Sequence, residues 1–169
     1  MIIFILANPT KCPVDVILVL DKSGSVGRTN WELMKSFVSE LVARMDVDNQ
    51  NTRVGLVCFS TDVHTEDSFN LNAHSKVASI KSAISKLTFS EGQTHTAAAL
   101  RYVRTRMLTM TAGDRPHVPN VVIVLTDGES NLNETETKVC TRSGNMLRKT
   151  HVKSSHVTSC DVMSCHVMA

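Results

Sequence analysis

Two stretches of this chain, Val14–Leu20 (VDVILVL) and Asn120–Thr126 (NVVIVLT), are nearly unbroken aliphatic and β-branched sequence, and each runs straight into an aspartate, Asp21 and Asp127. A strand with one wet face alternates apolar and polar residues. A continuous apolar run bounded by turn residues predicts a strand covered on both faces, as in a parallel sheet between helical layers. Thr52–Ser60 (TRVGLVCFS) is a third such run. Val63–Leu71 is short and polar, which fits an edge strand returning through Ser60, Thr61 and Asp62. Between the runs, Thr29 and Glu32 have capping-box spacing ahead of an apolar stripe at Met34, Phe37, Val38, Leu41, Val42 and Met45. Val77, Ile80, Ile84 and Leu87 repeat the stripe from near Ser75, and a third helix is expected from about Thr96 to Met110, with Ala97, Leu100, Val103 and Met107 inward. Strands alternating with helices predict an α/β fold, an open, mostly parallel, doubly wound sheet with right-handed crossovers.

With 169 residues the chain has room for one domain, and a net charge of +2 is too weak a field for a nucleic-acid binder. No apolar run is long enough to span a membrane. Met1–Ala7 is short for a secretory signal and carries no basic residue before it. The five cysteines do not decide the redox compartment, and Cys58, inside a buried run, reads as an inert core thiol. From His151 the sequence repeats every five residues to Ala169, a period that matches neither helix nor strand, so 140–169 is read as a divergent, disordered, low-complexity tail. His156, Cys160, Cys165 and His166 lack the paired spacing of a structural zinc site.

In open parallel sheets, ligands sit beyond the carboxyl ends of the strands. Both central runs place an aspartate there, and the first continues as Asp21-Lys22-Ser23-Gly24-Ser25-Val26-Gly27. Alternation lets Asp21, Ser23 and Ser25 converge while the glycines let the backbone bend. Carboxylates and hydroxyls without thiolate or imidazole suit a hard cation, Mg²⁺ with Mn²⁺ as a substitute. Taken singly, either aspartate is better explained as a turn or helix cap.

These residues resemble the von Willebrand factor type A domain. The resemblance is carried by DVILVLDKSGSVG (Asp15–Gly27), RVGLVCFS (Arg53–Ser60), GQTHTAAALRYV (Gly92–Val103) and VVIVLTDGESN (Val121–Asn131). It covers residues 12–139 as a partial domain, after an N-terminal segment 1–11. It implies a metal-ion-dependent adhesion site made by Asp21, Ser23, Ser25, Thr94 and Asp127, in which the hydroxyls ligate directly and the aspartates act through water. The remaining position then takes an acidic residue of a protein partner. His95, beside Thr94, is a candidate partner contact. The resemblance also implies an extracellular or secreted setting, a matrix ligand such as collagen, and a disulfide from Cys12, for which Cys140 is a candidate. Asn133 begins a glycosylation sequon. Past Val139 no β-branched run offers a further strand, so the strand at Asn120–Thr126 is expected to form an unpaired edge and the domain to be incomplete.

Three functions compete. The first is the adhesion module. The second is a metal-dependent phosphoryl-transfer enzyme with Asp21 as nucleophile; Ser23 stands where that chemistry wants a second carboxylate, and no GxxxxGK[ST] loop is present. The third is a truncated fragment with a vestigial site.

Overall fold

A computed structural model describes residues 12–127 and 165–168. The elements run β1 Val14–Asp21, α1 Gly27–Ala43, β2 Thr52–Phe59, β3 Val63–Phe69, α2 Val77–Ser85, α3 Thr96–Tyr102, a π-helical turn Val103–Met107, a 3₁₀ turn Met110–Ala112, β4 Asn120–Leu125 and β5 Cys165–Met168. They form one sheet in the order β3-β2-β1-β4-β5. β1 pairs in parallel with β2 on one side and β4 on the other, β4 pairs in parallel with β5, and only the β2–β3 pair is antiparallel. The expected α/β architecture and strand sequence are what the chain adopts.

Successive β1 side chains point to opposite faces, and both faces are dry. Val16, Leu18 and Leu20 pack with Trp31, Val38 and Val42 of α1 and Ile80 and Ile84 of α2. Ile17 and Val19 pack on the other face with Ala99 and Leu100 of α3 and with Val103 and Met107. This two-sided burial is why β1 shows no alternation in its sequence. At its amino end, buried Asp15 accepts hydrogen bonds from Arg115 Nε at 2.9 Å, Nη2 at 2.6 Å and the backbone N–H at 3.0 Å. The same guanidinium donates to the carbonyls of Val14, Gln50 and Asn51, tying the starts of β1 and β2 to the approach to β4.

Three expectations are corrected. The capping box does not form: α1 starts at Gly27 with no side-chain cap, because Gly27 takes φ 69° and turns the chain into the helix before Thr29 is reached. Glu32 instead pairs with Lys35 at 3.0 Å. The third helix ends as α-helix at Tyr102 and continues as a π turn closed by Leu108 N–H to the Val103 carbonyl at 3.0 Å; the wider turn keeps Val103 and Met107 in the core. Finally, β4 is not an edge. Cys165–Met168, placed by the sequence reading in a disordered tail, forms β5 alongside it, with Val122 opposite Cys165 and Leu125 opposite Met168. Cys12 is disulfide-bonded. Cys140, its candidate partner, lies outside the described residues, as do Asn133, His156 and Cys160.

Candidate functional site

The carboxyl ends of β1 and β4 lie side by side, since Leu20 pairs with Leu125. One residue beyond each pair stand Asp21 and Thr126, and the Thr126 hydroxyl donates to Asp21 Oδ2 at 2.6 Å. Asp21 Oδ1 accepts the Ser23 N–H at 2.9 Å, which closes the turn after β1 and fixes where the Ser23 hydroxyl points. From there the oxygens run as a chain. Thr94 Oγ1 donates to Ser23 Oγ at 3.1 Å, Ser23 Oγ and Ser25 Oγ are 3.2 Å apart, and Ser25 Oγ donates to Asp127 Oδ1 at 3.1 Å. The structure thus brings Asp21, Ser23, Ser25, Thr94 and Asp127 together from three loops. Asp21, Ser23 and Thr94 are buried, whereas Ser25 and Asp127 face solvent, so the cluster has a closed floor and an open rim.

The Thr94 loop is held by backbone. Gly24 N–H donates to the Gly92 carbonyl at 3.0 Å and His95 N–H to the Ser60 carbonyl at 2.9 Å, while Gln93 N–H donates to Thr61 Oγ1 at 2.9 Å. Gly92 has φ 145°, and a Cβ there would lie 2.9 Å from Thr61 Oγ1. Only glycine lets the three loops close this far.

Beneath the loop, Ser60 Oγ and His64 Nε2 are 2.8 Å apart and His64 Nδ1 lies 3.1 Å from Glu66 Oε1. The connectivity is that of a hydrolase triad, but Ser60 is 3% exposed. Its carbonyl also holds the Thr94 loop, which makes it scaffold rather than nucleophile. A hydrogen bond to its own backbone, then one to His64, holds the Glu66 carboxyl below its ordinary value.

The donor set fits a small hard cation. An octahedral shell at about 2.1 Å puts neighbouring oxygens about 3.0 Å apart. The two contacts among the hydroxyls, Thr94 to Ser23 and Ser23 to Ser25, measure 3.1 and 3.2 Å. Among the described residues no three His, Cys, Asp or Glu side chains gather to hold a metal, so a soft or imidazole-rich site is not the chemistry offered here. Lys22, between two of the cluster residues, is buried and pairs with Asp67 of β3, which keeps its ammonium off the oxygens.

Two supporting residues were not among the expected site residues. Thr126 looked like the last residue of a strand, and Ser60 like the end of another. Ser60 closes the run RVGLVCFS and Thr126 lies in VVIVLTDGESN, and each immediately follows a strand end beside the cluster. His95, offered as a partner contact, is half-buried, and its Nδ1 lies 3.2 Å from the Thr61 carbonyl.

The family model for the von Willebrand factor type A domain matches residues 15–157. Human matrilin-4 is 41% identical over 120 residues, covering 69% of this chain and 19% of that protein. Chicken matrilin-1 is 37% identical over 117 residues, covering 69% and 23%. The mouse collagen alpha-4(VI) chain is 34% identical over 120 residues, covering 70% of this chain and 5% of the relative. The chain therefore spans less than a quarter of the length of these relatives. Among solved structures, proximal thread matrix protein 1 from the mussel byssus superposes with a TM-score of 0.69 at 29% identity, covering 79% of this chain and 36% of that one. The same mussel protein with a zinc-occupied MIDAS motif gives 0.65 at 31% identity, covering 79% and 34%. The family model, the identities and the superposition agree: this chain belongs to the von Willebrand factor type A domain family.

Proposed function

We propose that the chain is a divalent-cation-dependent protein-binding module of an extracellular matrix or cell-surface protein, taking Mg²⁺ and, in its place, Mn²⁺. It has no enzymatic role in this reading. The observation that carries the proposal is the continuous run of hydroxyl and carboxylate oxygens from buried Thr94 to exposed Asp127. Ser23, Ser25 and Thr94 would hold the ion directly. Asp21 fixes Ser23 through its N–H and supplies charge from below, and Asp127 orients Ser25 at the rim. When bound, the ion supplies a Lewis-acidic position for a carboxylate oxygen of the partner. Neutral hydroxyls leave the positive charge largely uncompensated, which is what makes an acidic residue the favoured partner group. Relatives named as matrilins and a collagen chain, and a mussel matrix protein with a zinc-filled motif, support an extracellular-matrix setting and a matrix protein as the ligand.

Calorimetric titration of Mg²⁺ and Mn²⁺ into the full chain tests this, alongside capture on collagen and other matrix-protein surfaces with and without EDTA. Uptake of one ion per chain is expected. Ser23→Ala should weaken that uptake by about tenfold or more, with an unchanged circular-dichroism spectrum. Capture that survives EDTA, or a folded chain that takes up neither ion, overturns the proposal.

A further inference from the structure

Lys22 is the one cationic residue of the Asp21–Gly27 loop, and it stands between two residues of the oxygen cluster. A positive charge there opposes a cation site, yet the side chain is 2% exposed rather than turned out to water. The β1–β2 ladder runs on through it, since Lys22 N–H donates to the Phe59 carbonyl at 2.8 Å. Alternation then carries its side chain to the face of Leu20 and Cys58, opposite to that of Asp21. There the ammonium pairs with the carboxylate of Asp67, half-buried on β3 and 45 positions later in the sequence. Glu66, the neighbouring carboxylate, is exposed, lies on the other face of β3 and is 3.1 Å from His64 Nδ1, so it does not stand in for Asp67.

We propose that Asp67 is a positioning residue of the cation site, acting through Lys22. It holds the ammonium against β3 and cancels its charge, so that the charges of Asp21 and Asp127 reach the ion uncancelled. The proposal rests on the cation-dependent reading above and adds to it a residue that supplies no ligand. Lys22 is one residue, about 3.8 Å between Cα atoms, from both Asp21 and Ser23. Its ammonium therefore stays on the order of 10 Å from the cluster even when extended away from it. At an effective dielectric of about 20 to 40, an uncancelled unit charge at that distance weakens the binding of a dication about tenfold or more. Burial preserves the effect, because salt screens a buried charge poorly. A lysine released from its partner also has a stem flexible enough to turn toward the Asp21 carboxylate, which deepens the loss.

Variants of the two residues separate this charge effect from mere bracing, because the two predict opposite signs. Mg²⁺ uptake is measured by calorimetry on the full chain, and stability by thermal unfolding in EDTA. Asp67→Asn should weaken uptake about tenfold. Lys22→Met breaks the same ion pair but removes the positive charge, so uptake should equal the parent's or tighten. Both single variants should lower the melting temperature, since each strands one buried partner. Lys22→Met/Asp67→Asn buries no charge and should recover parental uptake. If Lys22→Met loses uptake as Asp67→Asn does, or the double variant fails to recover it, the pair is only a brace and the proposal is wrong. Parental uptake by a folded Asp67→Asn chain overturns it as well. Should a single variant fail to fold, the double variant decides alone: parental uptake supports the proposal and lost uptake overturns it. A folded parent chain that takes up no Mg²⁺ removes the cation-dependent reading and this proposal with it, whereas every other failure leaves that reading standing.

Discussion

Gly92 bears on the site without contributing a side chain to it. Its carbonyl accepts the Gly24 N–H, and its φ of 145° lies where side-chain-bearing residues are strained. An added methyl would meet Thr61 Oγ1 at 2.9 Å and Ser60 Oγ at 3.1 Å, the two residues that anchor the Thr94 loop. Gly92→Ala is therefore expected to cost about 1–3 kcal/mol of stability and to weaken Mg²⁺ uptake by moving Thr94 away from Ser23. Thermal unfolding and calorimetry of the variant check the two effects, and an unshifted melting temperature with parental uptake would contradict the geometry. Cys58 illustrates the opposite kind of residue. Burial in β2 pushes its thiol far above the ordinary range, so it stays protonated and serves as packing, as its place in an apolar run suggested.

Among the elements, the central strands were legible because burial on both faces writes itself as unbroken aliphatic sequence, and Asp21 and Asp127 mark where those strands stop. Asp21, Ser23, Ser25 and Asp127 were legible from their places at and just after those strand ends, whereas Thr94 joined them only through what the family resemblance implies. What escaped was set by backbone rather than side chains. Gly27 overrides the Thr29–Glu32 signal, and the π turn after Tyr102 leaves the inward residues unchanged, so apolar spacing alone cannot reveal it. β5 escaped because Cys165-His166-Val167-Met168 has little strand propensity, and its place comes from pairing with a distant element. Arg115, too, carried no motif, yet it clamps buried Asp15. Arg115→Met would leave that carboxylate without its cation at the start of β1, at a cost of about 3–5 kcal/mol. Denaturant titration measures the loss, and a change well under 1 kcal/mol would show that the clamp is not holding the strands.

For the molecule as a whole, acid is the informative perturbation. Asp46, hydrogen-bonded by Asn51 and then Asn49, and Glu66 both have carboxyls held below their ordinary values of 3.8 and 4.5. A carboxyl depressed on folding contributes stability that is fully present above the unfolded value and is lost as pH falls through the folded one. Stability should therefore decline as pH drops through and below 4.5 and 3.8. Asn51→Ala should make the decline shallower, and equal slopes for parent and variant in urea midpoints against pH would refute the linkage. The topology has a temporal side as well. Ser25 and Asp127 meet from 102 positions apart in the sequence, and Thr126 and Asp21 from 105. During synthesis β1 can pair with β2 early, but the last rim oxygen arrives only when the fourth strand has left the ribosome. A nascent chain halted before that point carries the β1–β2 pair but not the complete run of oxygens from Thr94 to Asp127.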